Sequence, residues 1–531
     1  MVRDALGHAV PRGWQEPPAW ARGATTIVAL LVVLGGWLLA MPPGASPDDG
    51  YHLGSIWCAD GYKDDICLEA IGIADPSVAL VPAPVLELSC FAYDGARSAA
   101  CQLETLSGPL PELVATVTNI NGQRPSLYYR TMHLLIGSGK DVTGAAARIR
   151  TANILLTTLM VALTAFLAHR RLRSAFLLAW VVAAVPLGLF FATTVSTSAW
   201  TMAGLSTVWA NTITAMDHPL RRNRISAGLL AAVGVLMGLG ARTEAVAHVA
   251  ILVVTLGALR WWQRRERTLR DHAGRRLPRA LRVSLGLVGL AAFVWLLDVV
   301  APESADLDGA IGGFAEGYAR LEARDIGDPF LAIVFEVPTL WSGALGDAWG
   351  LGVLDTPIPS VASLPIMGLF VALVAVGLQR SAQARILAVS LLLGALVAMP
   401  TLSLLRSGLL VYESLQPRQF MAMIYPLLGI ALYRLGTEPP LVLGRAMRTT
   451  IVVGMTFAHS LALLVTMQRH TNGLLPGFDA VPRHVALGRE PEWWWPTLPA
   501  PEVVWAVGSI AFLVLIVSVV RRFRPEVAEA A

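Results

Sequence analysis

Two adjacent carboxylates and an imidazole follow the first strongly apolar stretch of this chain, in Pro42-Pro43-Gly44-Ala45-Ser46-Pro47-Asp48-Asp49-Gly50-Tyr51-His52. Ser46-Pro47-Asp48-Asp49 has the pattern of a helix start, with Ser as N-cap, Pro at the first helical position and Asp three residues after the cap. A helix continuing from there puts Asp48 and His52 on one face, with Asp49 on the flank. Two carboxylates and an imidazole set at a membrane surface make Asp48, Asp49 and His52 the place where chemistry by this chain is expected. The plainer reading is that the aspartates only cap a helix and favour its dipole.

What positions these residues is a membrane architecture. The chain has 531 residues, 55% hydrophobic and only 15% charged, against about 25% charged in an ordinary soluble domain. The formal charge of +4 does not point to nucleic acid, because the basic residues sit in short loops between apolar stretches. Each span needs about 20 mostly apolar residues, and twelve are expected. The first covers Thr25–Met41, after a cytoplasmic N-terminus over 1–24, and is retained rather than cleaved. Spans two to seven fall near Ile149–Leu167, Ala175–Phe191, Ala199–Met216, Ile225–Gly240, Ala245–Leu259 and Val283–Val300. Spans eight to twelve fall near Leu364–Leu378, Ile386–Leu405, Gln419–Tyr433, Thr450–Met467 and Val503–Val520, before a tail over 521–531. Basic loops at His169–Arg173, Arg221–Arg224, Arg260–Arg282, Arg380–Arg385, Arg434–Arg448 and Arg521–Arg524 then share one side, which the positive-inside rule makes cytoplasmic together with both termini. Trp261 and Trp262 read as interface anchors beside a loop touching anionic lipid.

The two long outer loops are 42–148 and 301–363. All four cysteines, Cys58, Cys67, Cys90 and Cys101, lie in the first, which implies an oxidising exterior. Of three connectivities, sequence proximity favours Cys58–Cys67 and Cys90–Cys101; their spacings do not suit zinc. Within this loop the stretch around Pro76–Pro84 and Pro109–Pro111 reads as irregular or extended. Tyr128–Ile136, carrying Tyr128 and Tyr129 and bounded by Gly137 and Gly139, reads as a helix on the outer interface, an anchor or a substrate contact. Glu490–Pro496 looks like an aromatic belt, and Phe330–Trp349 is apolar enough to dip into the membrane. Arg242, Glu244, Glu413 and Arg418 fall at the same membrane face as Asp48 and Asp49. They form either structural pairs, Arg242–Glu244 and Glu413–Arg418, or a phosphate grip, for which arginine is the best suited side chain. Asn211, His248 and His459 read as packing residues inside spans.

Taken together, Pro-Asp-Asp-x-x-His after a first span, Arg124-Pro125-Ser126-Leu127-Tyr128-Tyr129 closing the first loop, and Gln416-Pro417-Arg418-Gln419-Phe420 leading to Pro426 resemble a family of uncharacterised polytopic bacterial membrane proteins, a domain of unknown function. That family is similar in outline to GT-C glycosyltransferases. Here Pro417 and Gln419 stand where its Gln-Gly-Arg-Tyr-Phe pattern has Gly and Tyr. The resemblance implies an all-α, GT-C-like bacterial plasma-membrane protein with a large disulfide-containing first loop. It also implies inverting transfer of a sugar from a polyprenyl-phosphate donor to an envelope glycan or lipid acceptor on the outer face. Asp49 or Asp48 would be the general base, and Arg418 or Arg242 would meet the leaving phosphate, with Glu244, Glu413, Tyr128 and Tyr129 lining the substrate; a divalent metal held by Asp48, Asp49 and His52 is compatible with this chemistry but not required by it, since a lipid monophosphate carries less charge than a nucleotide diphosphate. A transporter or flippase for a lipid-linked substrate, or a scaffold of polysaccharide assembly, would use the same outer charges as a binding site. The inverted repeats of many transporters are not evident, and no P-loop, GxGxxG or HExxH is present.

Overall fold

Buried glycines let the central helices approach at backbone distance, and this sets how the bundle is built. In the computed structural model the described residues are 18–524, except 64–65, 109–111, 121, 123–124, 272–315, 325–326, 348, 380, 436–437, 476–477, 483–492 and 496–497. The chain is mostly helical, at 69%. The first half comprises α1 (Ala19–Ala40), α2 (Asp49–Trp57), α3 (Pro84–Glu87), α4 (Cys101–Ser107), α5 (Leu127–His133), α6 (Val142–Leu167), α7 (Arg170–Ala184), α8 (Leu187–Phe191), α9 (Ser198–Asp217), α10 (Arg221–Leu239) and α11 (Ala245–Asp271). The second half adds helices at 316–322, Pro329–Ala344, Ser360–Leu378, Gln383–Ser407, Met421–Leu432, Arg445–Asn472 and Pro501–Val520.

Among the described residues, seven helices are long and apolar enough to cross a membrane: Trp20–Ala40, Val142–Leu167, Ala245–Arg265, Ser360–Leu378, Gln383–Ser407, Arg445–Asn472 and Pro501–Phe523. Of the other five stretches expected from the sequence, Val283–Val300 lies outside the described residues. Ala175–Phe191 is broken at Pro186 into α7 and α8, as the missing N–H and ring of proline require. Ser198–Asp217 and Arg221–Leu239 do form long helices, α9 and α10. Gln419–Tyr433 shortens to Met421–Leu432, all of it buried; its 12 residues extend about 18 Å, less than the hydrocarbon core of about 30 Å.

Small residues account for the tightest contacts. A Cβ on Gly204 of α9 would come within 2.4 Å of the Gly234 carbonyl oxygen on α10. On α1, Gly36 lies against Gly508 of the Pro501–Val520 helix. Such close approach is how helices associate in a bilayer, where no apolar surface needs to be hidden from lipid.

The loop after α1 is not purely irregular. It holds an antiparallel sheet of β1 (Leu68–Glu69), β2 (Val78–Pro82) and β3 (Leu113–Val117), in the order β1-β2-β3 with Leu80 opposite Ala115. The all-α expectation is corrected to that extent, and the extended reading of Pro76–Pro84 is met by β2. Disulfides join Cys58 to Cys67 and Cys90 to Cys101. The second fastens a turn whose carbonyls, at Phe91, Asp94 and Arg97, receive the fully buried Arg469 guanidinium, itself paired with Asp355 at 2.6 Å.

Two other expectations change. Tyr128 and Tyr129 on α5 are buried, and the Tyr128 hydroxyl donates to the Val195 carbonyl at 2.6 Å, so α5 is packed into the protein instead of lying on lipid. Trp494 is buried against His470 and the half-buried Trp495 donates from its indole to the Leu39 carbonyl, so these two tryptophans pack on the protein; residues 490–492 and 496 of that expected belt lie outside the described residues.

Gly204→Leu should force α9 from α10 and cost about 1–3 kcal/mol or more; thermal melts in detergent should show a fall of several degrees. An unchanged melt would mean that the two helices do not touch at this point.

Candidate functional site

Arg418 reaches the first outer loop from the far end of the sequence. It lies in a single turn, Pro417–Gln419, before the Met421–Leu432 helix, and its Nη2 donates to Asp48 Oδ2 at 2.5 Å. Nη1 donates to the Pro47 carbonyl at 3.4 Å, and the guanidinium lies 5.7 Å from the centre of the Phe191 ring. Its side chain is only 7% exposed while that of Asp48 is 54% exposed. The Arg418 Nε is buried without a hydrogen-bond partner. A small apolar recess lined by Leu187, Phe190, Phe191, Trp349 and Leu354 adjoins it.

Asp48 owes its position to an unusual backbone. Its φ is 63°, in the left-handed region that aspartate tolerates better than most side chains. The chain therefore turns at Asp48 and α2 begins at Asp49, two residues later than Ser46-Pro47 suggests. Ser46 still meets Asp49, as the sequence pattern implies, but with the roles rearranged. Its N–H donates to Asp49 Oδ2 at 3.1 Å and its hydroxyl to Oδ1. Asp49 thus faces inward at 5% exposure, and Asp48 is the carboxylate that a substrate can reach.

The electrostatics separate the two aspartates. Burial raises the Asp49 carboxyl to about 6, against partial relief from the Ser46 hydrogen bonds and the Arg150 charge. For Asp48, burial pulls upward too, but the charge and hydrogen bond of Arg418, assisted by His52 and Arg242, hold it below the usual carboxylate range. Two neighbouring carboxyls pushed in opposite directions suit one ionised, working group and one structural group. Arg242 stands nearby, donating from Nε to the Thr197 hydroxyl at 3.1 Å and from Nη1 to Glu244 at 2.7 Å. The Arg242–Glu244 contact therefore exists. The Glu413–Arg418 contact does not: Glu413 binds Arg324 at 2.7 and 2.8 Å and caps the Leu410 N–H.

His52 is also behind the surface, 3% exposed. Its Nδ1 lies 3.0 Å from the Tyr129 hydroxyl and its Nε2 3.4 Å from the Ser196 hydroxyl. Asp48 turned to Arg418, Asp49 to Ser46 and His52 to Tyr129 do not converge as three ligands would. Among the described residues no cluster of three His, Cys, Asp or Glu is arranged to hold a metal ion.

Several contributors were not singled out from the sequence. Arg150, 2% exposed on α6, donates to the carbonyls of Leu38, Met41 and Thr193, tying the end of α1 to the segment behind His52. The run Thr193-Thr194-Val195-Ser196-Thr197 between α8 and α9 supplies acceptors to Arg150, Asn153, Tyr128 and Arg242. A basic residue inside an expected span and a hydroxyl-rich run between two spans were the available signals. His248 is fully buried with neither ring nitrogen hydrogen-bonded among the described residues, whereas His459 accepts from Trp37 at 3.1 Å and Asn211 donates to Thr164.

The fold and these contacts define a helical membrane protein whose first long loop is joined to a late loop through the Asp48–Arg418 pair. Residues 31–427 match the family model DUF2142, described as a predicted membrane protein, and the chain belongs to that family. No curated protein and no solved structure matches it.

The Asp49 environment has a consequence for stability. A carboxyl at 3.8 when unfolded and about 6 when folded favours the fold in its neutral form. That contribution is full below 3.8, is lost as pH rises through about 6, and amounts to on the order of 3 kcal/mol. The Asp48 effect has the opposite sign and falls below pH 4. Thermal midpoints should decline between pH 4 and 6.5 and then level off, and Asp49→Asn should remove this slope. A variant with the wild-type slope would show that Asp49 is not buried.

Proposed function

We propose that this protein is a GT-C-like glycosyltransferase that moves a sugar from a polyprenyl-phosphate donor to an envelope glycan or lipid acceptor at the outer face of a bacterial plasma membrane. The observation that carries the reading is the Asp48–Arg418 pair, where a half-exposed carboxylate, a buried guanidinium and an apolar recess adjoin one another. An amphiphilic phosphate needs both a cation and an apolar channel; an acceptor hydroxyl needs an ionised base.

In this scheme the acceptor hydroxyl attacks the anomeric carbon and its proton passes to Asp48, whose Oδ1 has no partner among the described residues. The glycosyl–oxygen bond breaks with inversion, and the charge on the departing polyprenyl phosphate is met by Arg418 and Arg242. Asp49 and His52 act as supports, Asp49 by fixing the Ser46 turn and His52 by packing against Tyr129 and Ser196. Glu413, Tyr128 and Tyr129 are not at the reacting atoms in this scheme. Glu244 holds Arg242.

The scheme includes twelve spans with both termini cytoplasmic. It is supported by the way polar contacts divide between two ends of the bundle. Asp48–Arg418, Arg242–Glu244, Arg469–Asp355 and both disulfides fall at one end. At the other end Arg385 meets Glu438, Arg171 donates to the Glu438 carbonyl, and Arg260 meets Asp217.

Asp48→Asn, nearly isosteric, should lower glycosyl transfer in membranes by about two to four decades with little change in melting temperature. Arg418→Lys keeps the charge but loses the planar fork, so it should raise the apparent KM for the polyprenyl-phosphate donor more than for the acceptor. Turnover by Asp48→Asn at the wild-type rate would remove Asp48 from catalysis.

A further inference from the structure

Far from the outer charges, α9, α10 and α11 enclose a groove of about 480 Å³, within the range of ligand sites. It exists because α10 follows α9 closely at Gly204 and Gly234, while α11 packs chiefly against the Gln383–Ser407 helix. The walls are apolar, from Val208, Val235, Leu252 and Leu256, and one end is closed by Arg260 and Arg264. Eighteen residues separate Arg242 from Arg260, about 27 Å along a helix, so this site is distinct from the outer one.

We propose that this groove binds an anionic phospholipid, one acyl chain lying along the apolar walls and the phosphate at Arg260 and Arg264. Charge complementarity selects the headgroup. Arg221, Arg222 and Arg224 open α10 at the same end, where Arg260 pairs with Asp217. Arg260 keeps its Nε buried and without a hydrogen-bond partner among the described residues. The level of the headgroup is marked by Trp261, 51% exposed, with the Arg265 guanidinium 5.2 Å above its ring, an arrangement suited to the membrane interface. Val253, 65% exposed, leaves the groove open sideways towards hydrocarbon, where acyl chains are the neighbours. Basic pockets between membrane helices are known to hold phospholipid headgroups in this way.

Gly257 gives a clean test, because it lines the groove and a Cβ there meets nothing within 4 Å. Gly257→Phe starts from this unobstructed Cβ and brings a ring to the groove. Gly368→Phe, on the Ser360–Leu378 helix and equally unobstructed, is the control. Full-length protein purified in detergent and depleted of lipid is titrated with phosphatidylglycerol or phosphatidylcholine and read by native mass spectrometry. The wild type and Gly368→Phe should hold one phosphatidylglycerol about tenfold more tightly than phosphatidylcholine, and Gly257→Phe should lose this preference. Equal retention by Gly257→Phe, or no preference between the two lipids, overturns the proposal. A large fall in the lipid-free melting temperature of Gly257→Phe, or a change in its oligomeric state, would also overturn it. Those results would mean that the groove is filled by protein, either this chain's Val283–Val300 stretch or a second copy.

Discussion

A guanidinium buried to 7% exposure is costly unless its charge and N–H groups are met, and more costly still beside a membrane. Arg418 has its charge met by a carboxylate 370 residues earlier in the chain, so the first long loop and the entry to the Met421–Leu432 helix must be held together before either is settled. The surrounding arrangement follows from that constraint. Asp48 adopts a left-handed backbone to present its carboxylate. The Ser46–Asp49 hydrogen bonds fix the turn that allows this, and Arg150 anchors the end of α1 from which the turn departs.

The same logic recurs in other buried arginines, and it explains why the loops are ordered. Arg469 is satisfied by three carbonyls of the Cys90–Cys101 region and by Asp355. Arg385 is satisfied by carbonyls of Ala431 and Tyr433 and by Glu438. In each case one cation collects backbone carbonyls at turns and helix ends and so gives those acceptors a partner, while its own Nε has none among the described residues. Loops that look long and polar in the sequence are in this way clamped to the helical bundle, and the disulfides hold the clamped turns in register.

Much of the membrane class was legible because apolar length and basic loops are strong, additive signals, and the cysteine pairing followed from proximity within one loop. Asp48, Arg418, Arg242 and Glu244 could be assigned to one face because the order of apolar stretches fixes which loops face alike, whatever the detailed packing. What could not be read was tertiary. Nothing local distinguishes Asp48 from Asp49; a left-handed residue and a hydrogen bond to Ser46 decide which faces out. The pairing of Glu413 with Arg324 and not with Arg418 depends on where the 316–322 helix comes to rest. Similarly, Tyr128 and Tyr129 carry the pattern of an interfacial helix, and it takes the folded protein to bring the Val195 carbonyl to the Tyr128 hydroxyl and the His52 ring to that of Tyr129.

A double-mutant cycle on glycosyl transfer, with Asp48→Asn, Arg418→Gln and the pair measured in the same membrane preparations, tests the central claim most directly. If the two side chains act as one unit, the double variant should be no more than a few fold slower than the slower single variant. If the two losses multiply, Asp48 and Arg418 work independently, and the account of a single site built across the first and late outer loops is wrong.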